Sequence, residues 1–287
     1  KVSEKVASKY AVAVNSATSA LHISCKALGL KNEEWLWTSP NSFVASANCA
    51  MYCGANIDFI DIDKRSYNIS INKLKDKLIH AKKNNKLPKI IIPVHYAGQS
   101  CDMKEIKALS DEFNFKIIED ASHAIGGKYL GENIGCNKFS DITIFSFHPV
   151  KIITTGEGGI ATTNQESLSK KMRELRGHGI IKNSSFFINE SSEPWSYEQQ
   201  DLGYNYRMSD TQCALAKSQL SKVEKFIAKR ENLVQLYNSK LSKLKPILTT
   251  PSSPDKTLVD RVGWHLYSVS IDFEKLMMTK ESFMKIV

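Results

Sequence analysis

The chain holds 287 residues, 42% of them apolar, with a formal charge of +9, enough to bury a sizeable core as one large domain or two unequal ones. It has no run of about 18 apolar residues, so no transmembrane helix is expected, and the opening KVSEKVASKY lacks the apolar stretch of a secretory leader. The positive charge is spread along the chain without a nucleic-acid motif or basic–aromatic interleaving, which argues against a nucleic-acid partner and suits small phosphorylated ligands.

Two periods alternate along the first two thirds of the chain. Short β-rich runs predict strands over Ala11–Asn15, Ile57–Asp61, Lys89–Val94, Phe115–Glu119, Asp141–Phe147 and Gly159–Thr163. Helical patterns fall between several of them, over Thr18–Gly29, Phe43–Cys53, Ser70–Lys83, Met103–Asn114 and Gln165–Arg176. Runs such as Lys-Ile-Ile-Ile-Pro-Val are apolar on both faces, as in central strands of a covered, mostly parallel sheet. The predicted class is therefore α/β, a doubly wound layer. The basic cluster Lys82-Lys83-Asn84-Asn85-Lys86 closes one of these helices and reads as its solvated end.

Beyond Arg176 the pattern changes. Residues 180–205 are polar and aromatic without a period and predict an excursion or lid loop. Ser209 then precedes one long helical stretch to about Lys243, Pro246, Pro251 and Pro254 mark a break, and Gly263–Asp272 predicts a further strand. A domain change is placed near residue 221, giving a larger unit at 1–220 and a smaller one at 221–287. The six cysteines contain no CxxC pair. Cys49 and Cys53, four apart on an expected helix, suit packing; no metal is expected, and scattered thiols suggest a reducing cytoplasm.

Ligands of open α/β sheets gather at the carboxyl ends of the strands, and three segments there carry unusual chemistry. Asn15-Ser16-Ala17-Thr18-Ser19 opens a helix, where free N–H groups suit a phosphate, or where Ser16 is a plain N-cap. Glu119-Asp120 ends a buried strand, so Asp120 needs a protonated ring nitrogen, a structural cation or a helix cap as partner. Ser146-Phe147-His148-Pro149-Val150-Lys151 ends another strand and leads into the glycines of TTGEGG, presenting an amine whose pKa an apolar setting can lower. An anion site, a buried acid and an activated amine are together what pyridoxal phosphate (PLP) asks of a protein.

The stretches NSATSALH, NSFVASAN, EDASHAIG, FSFHPVKIITTGEGG, RGHG and NYRMSDTQCALAKSQL resemble, in order and over nearly the whole chain, the motif series of the DegT-type sugar aminotransferases. That resemblance implies the aspartate-aminotransferase fold type I, with a large PLP-binding domain and an incomplete small C-terminal one. It implies that Lys151 carries the cofactor as a Schiff base and acts in catalysis, Asp120 pairs with the pyridine nitrogen, and Phe43 stacks on the ring. Ala17, Thr18 and Ser146 would hold the phosphate, and His123 would lie beside the ring. Asn205 would reach the phosphate of the partner subunit's cofactor, which implies a homodimer with shared active sites. NSATSAL, HYAGQSCDM and EDASHAIG look most like aminotransferases of pseudaminic acid biosynthesis, which use glutamate to aminate C4 of a UDP-linked 4-keto-6-deoxy-N-acetylhexosamine; other UDP- or TDP-linked keto-sugars are the alternative substrates. Measured against the family, the chain is expected to be truncated at both ends.

Rival readings are a PLP dehydratase, in which a histidine would replace Lys151, a catalytically idle cofactor-binding paralogue, and an α/β binding module without PLP. Elsewhere, His22 reads as packing or surface, His95 either lines the pocket or does not, Glu157 suits a loop hydrogen bond, and His178 suits a helix end.

Overall fold

The computed structural model describes residues 1–189, 193–251, 255 and 257–287. After a short first helix, α1 (Val2–Val6), seven strands form its central sheet: β1 (Tyr10–Val14), β2 (Trp35–Thr38), β3 (Asn56–Phe59), β4 (Ile90–Ile92), β5 (Lys116–Asp120), β6 (Ile142–Ser146) and β7 (Gly159–Thr163). Their spatial order is β1-β7-β6-β5-β4-β2-β3. Neighbours from β3 through β6 pair in parallel, while β7 runs antiparallel to both β1 and β6. The chain belongs to the α/β class expected from its periodicity.

Alternation along β4 explains why the sheet is covered on both faces. Ile90 and Ile92 pack into one apolar cluster with α2 (Ala17–Ala27), α3 (Ala45–Met51) and α6 (Glu166–Arg176), whereas Ile91 packs into another with α4 (Ile71–Lys83) and α5 (Met103–Phe113). Ile118 and Ile117 of β5 divide in the same way. Each fully buried isoleucine contributes about 1.5–3 kcal/mol relative to exposure.

The single antiparallel return has a functional consequence. Parallel crossovers leave the carboxyl ends of β1, β5 and β6 on one edge, and β7 starts at that edge because Gly159 pairs with both Val14 and Ser146. The loop 147–158 therefore stays beside the ends of β1 and β5 and does not cross the sheet.

Several expectations need correction. Strand β2 was not anticipated: Trp-Leu-Trp-Thr is too short to display a period, yet it pairs on both sides, with β3 and β4. The long helix after Ser209 is two, α7 (Asp210–Leu220) and α8 (Val223–Leu241). Ser221 lies at the break, its hydroxyl donating back to Ser218 O at 2.8 Å. Leu220, Val223 and Ile227, on either side of it, pack in one cluster with Phe147 and Ile152.

Of the strand expected over 263–272, only Ser270–Ile271 pairs, with Leu248–Thr249. The preceding residues lie on the turn after β4: Gly263 N donates to Gly98 O at 3.2 Å and His265 N to Ala97 O at 2.9 Å. Gly98 has φ +101°, and a Cβ there would sit 1.8 Å from Gly263 O, so only glycine admits this approach.

Residues 180–205 are not wholly irregular, since Ile180–Ile181 pairs with Glu198–Gln199; Pro254 and residues 190–192 lie outside the described residues. Among the described residues, no helix is long and apolar enough to cross a membrane.

Candidate active site

A cavity of about 230 Å³ opens at the edge where β1, β5 and β6 end, and Ala17, Thr18, Phe43, Asp120, His123, Ser146 and Lys151 all line it. Seven of the eight expected site residues thus meet in one place. A larger groove, about 580 Å³, lies elsewhere against Asn68 and Tyr129, but its lining offers neither a lysine nor a histidine.

One wall is the start of α2. Ser16 caps the helix, its hydroxyl accepting from Ser19 N at 3.1 Å, and the first main-chain bond of the helix runs from Ala20 N to Ser16 O. The N–H groups of Ala17 and Thr18 precede that bond and have no acceptor within the helix, so they remain for an anion. Gly159 lies directly beneath: a Cβ on it would come within 2.5 Å of Ala17 N.

The opposite wall carries the acid. Asp120 is 5% exposed; its Oδ2 accepts from Ser46 Oγ at 2.6 Å and its Oδ1 from Ser122 N at 3.1 Å. Each oxygen keeps acceptor capacity for another donor. Ser46, wholly buried in α3, was missed in the sequence reading, because its link to Asp120 spans 74 residues.

Lys151 enters from the turn after β6, where its own N–H donates to His148 O at 3.0 Å. Burial holds its ammonium below the usual lysine range, and the Asp120 carboxylate opposes part of that fall. His123 faces the same space. Burial, with the charge of Lys151, pulls its imidazole down to about 3, so the ring is neutral, and its Nδ1 is buried without a hydrogen-bond partner. Behind it, 4.4 Å between centroids, lies the ring of His265, brought from the far end of the chain by the strap over Gly98. No local pattern in the sequence announces that contact.

Phe43 stands at the rim, 71% exposed. Asn205 is the expected site residue that lies outside the cavity; it is exposed, and its backbone bridges to Gly177. Among the residues given ordinary readings, His22 is buried among Tyr52, Tyr204 and Tyr206, and burial drops its pKa to about 4. His95 does not line the cavity, whereas Glu157 does. His178 follows α6 in the left-handed conformation, φ +68°. Among the described residues no cluster of His, Cys, Asp or Glu could hold a metal.

The profile of the DegT/DnrJ/EryC1/StrS aminotransferase family matches residues 1–287. The chain belongs to this family. This DegT-family chain is 42% identical over 240 residues to the UDP-4-amino-4,6-dideoxy-N-acetyl-beta-L-altrosamine transaminase of Campylobacter jejuni subsp. jejuni serotype O:23/36, covering 84% of the chain and 60% of that relative. It is 36% identical over 277 residues to the GDP-perosamine synthase of Caulobacter vibrioides, covering 96% and 68% respectively. Among solved structures, the Helicobacter pylori aminotransferase PseC, involved in the biosynthesis of pseudaminic acid, superimposes with a TM-score of 0.84 at 30% identity, over 99% of this chain and 72% of PseC. The chain spans 60–68% of the length of the two curated relatives. Its fold is the aspartate-aminotransferase type I fold of these enzymes.

Aminotransferases of this family are PLP-dependent transaminases, and the donor set here fits that cofactor. Free N–H groups face where a phosphate can sit, a carboxylate with open lone pairs faces where a pyridinium can sit, and an amine of lowered basicity lies on the same cavity. The cradle yields a prediction. Gly159→Val should push β7 and the α2 start apart and weaken PLP binding by about tenfold or more, a loss of roughly 1.4 kcal/mol; titration of the apoprotein with PLP, followed by absorbance, measures it.

Proposed function

We propose that the whole protein transfers the amino group of glutamate to C4 of a UDP-linked 4-keto-6-deoxy-N-acetylhexosamine, using PLP carried on Lys151. The observation that carries this reading is the meeting of Lys151, Asp120 and the α2 start on one cavity. Ala17, Thr18 and Ser146 would bind the phosphate, Asp120 would accept a hydrogen bond from the pyridine nitrogen, and Phe43 and His123 would flank the ring. Bound there, the cofactor supplies an electron sink. Lys151, the residue that would hold the cofactor, would also take up and return the proton at the donor Cα. The neutral ring of His123 lines the site, with the neutral ring of His265 behind it, and neither adds positive charge beside that amine.

Asn205, exposed and outside its own cavity, supports a homodimer in which it reaches the phosphate of the partner subunit's cofactor. Residues 221–287 then belong to a smaller C-terminal domain, and the six cysteines, all free, suit a cytoplasmic enzyme.

Likeness to the altrosamine transaminase supports the UDP-linked N-acetylhexosamine as acceptor; likeness to GDP-perosamine synthase favours a GDP-linked 4-keto-sugar as the second reading. The full-length protein, given glutamate and a panel of UDP-, TDP- and GDP-linked 4-keto-6-deoxy sugars, should aminate the UDP-linked N-acetyl sugar fastest, with the new amine at C4 by NMR. Preference for a GDP- or TDP-linked acceptor, or amination at another carbon, refutes the substrate assignment.

A further inference from the structure

Beneath the cavity, on the far side of β5, lies a buried polar cluster that the chemistry above does not use. Glu119 is 5% exposed and His95 fully buried. The imidazole Nε2 lies 2.9 Å from Glu119 Oε2, which is the only ion pair recorded for that carboxylate among the described residues. Two neutral donors complete its shell, Thr143 Oγ1 at 3.2 Å and Ser140 Oγ.

On its other side, His95 Nδ1 receives the N–H of Cys101 at 3.2 Å. Burial disfavours a charge on this ring, while the Cys101 thiol and the Glu119 carboxylate favour one. The Cys101 N–H decides between them, because it needs a lone pair on Nδ1, and the ring's proton therefore sits on Nε2 and is donated to Glu119.

The same residue holds the next one along. His95 N donates to Asp120 O at 3.0 Å, and Asp120 N donates to Pro93 O at 2.9 Å. His95 thus grips consecutive residues of β5 whose side chains point to opposite faces, Glu119 by its carboxylate and Asp120 by its main chain. A shift of Glu119 about the shared peptide re-aims the Asp120 carboxylate, which among the described residues Ser46 and Ser122 otherwise hold by hydrogen bonds.

We propose that His95 is a positioning residue: its bridge between Glu119 and the Asp120 carbonyl fixes the aim of the acid at the cofactor cavity. The inference rests on the role given to Asp120 in the proposed function. The test uses full-length protein loaded with PLP, and begins with borohydride fixation of the cofactor in the unsubstituted protein. If no label appears on Lys151, the parent reading fails and the role of His95, which rests on it, falls with it.

With the label in place, His95→Phe removes the donor to Glu119, while His95→Gln restores an N–H that can reach it. In His95→Phe, the pH midpoint of the bound cofactor's visible band should move by about half a unit or more, and kcat should fall about tenfold with little change in the KM for glutamate. His95→Gln should recover most of both. The melting temperatures of the apoproteins, read alongside, should not follow this order. An unmoved midpoint in folded His95→Phe overturns the proposal, and so does an equal displacement in both variants. If His95→Phe does not fold, Glu119→Gln replaces it, and an unmoved midpoint there overturns the proposal equally.

Discussion

Replacing Lys151 with alanine is expected to leave a folded protein that has lost transamination by about 10³-fold or more. The fold should survive because the core contribution of this turn comes from its neighbours: Ile152 and Ile153 are buried, and Lys151 belongs to none of the apolar clusters. Chemistry should not survive, since the proton at the donor Cα has lost its carrier. The same side chain sets a pH dependence. Burial lowers its pKa, so the free amine persists to a lower pH than an exposed lysine would allow, and the acid limb of kcat should fall below the ordinary lysine range. Steady-state rates with glutamate, circular dichroism and borohydride labelling together check this: the variant should fold, fail to take up label and fail to turn over. Undiminished turnover would remove Lys151 from the reaction.

The readable parts of the site are those in which chemistry and scaffold are neighbours in sequence. Ser16 to Ser19, Glu119 to Ser122 and Ser146 to Lys151 each join a strand end to its functional residue within a few positions, so alternation of strand and helix suffices to bring them to one edge. The bond from Ser46 to Asp120 and the packing of His265 on His123 depend on tertiary placement across 74 residues and more, and no periodicity encodes them.

The errors in the fold have the same origin. Strand β2 is four residues long, below the length at which a period shows, and its identity as a strand is set by partners on both sides. Residues 263–268 have strand-like composition, but the amides of Gly263 and His265 are taken up by the turn after β4, so local propensity loses to tertiary hydrogen bonding.

Asp120→Asn carries the second large effect. Asparagine keeps the volume of aspartate, and its carbonyl can accept from Ser122 N while its amide donates to Ser46 Oγ, a hydroxyl that can turn toward Ser42 at 2.9 Å. Stability should therefore change by no more than about 1 kcal/mol, and Lys151 should still be labelled by borohydride in the presence of PLP. What disappears is the negative charge. A protonated ring nitrogen opposite residue 120 is stabilised by a carboxylate in a site of low polarity and is not stabilised by a neutral amide.

Turnover should fall by about 10²–10³-fold at saturating glutamate, with a changed visible spectrum for the bound cofactor. The combination separates a lost charge from a lost fold, because only the former leaves melting temperature and labelling intact. Wild-type turnover in Asp120→Asn would mean that another acid faces the ring. The cavity offers one alternative, Glu157, whose side chain is 58% exposed and whose nearest recorded ionic partner is His148 at 3.7 Å. A carboxylate so open to water is screened and spends little of its charge on a ring nitrogen, which is why the buried acid at the end of β5 is the one expected to matter.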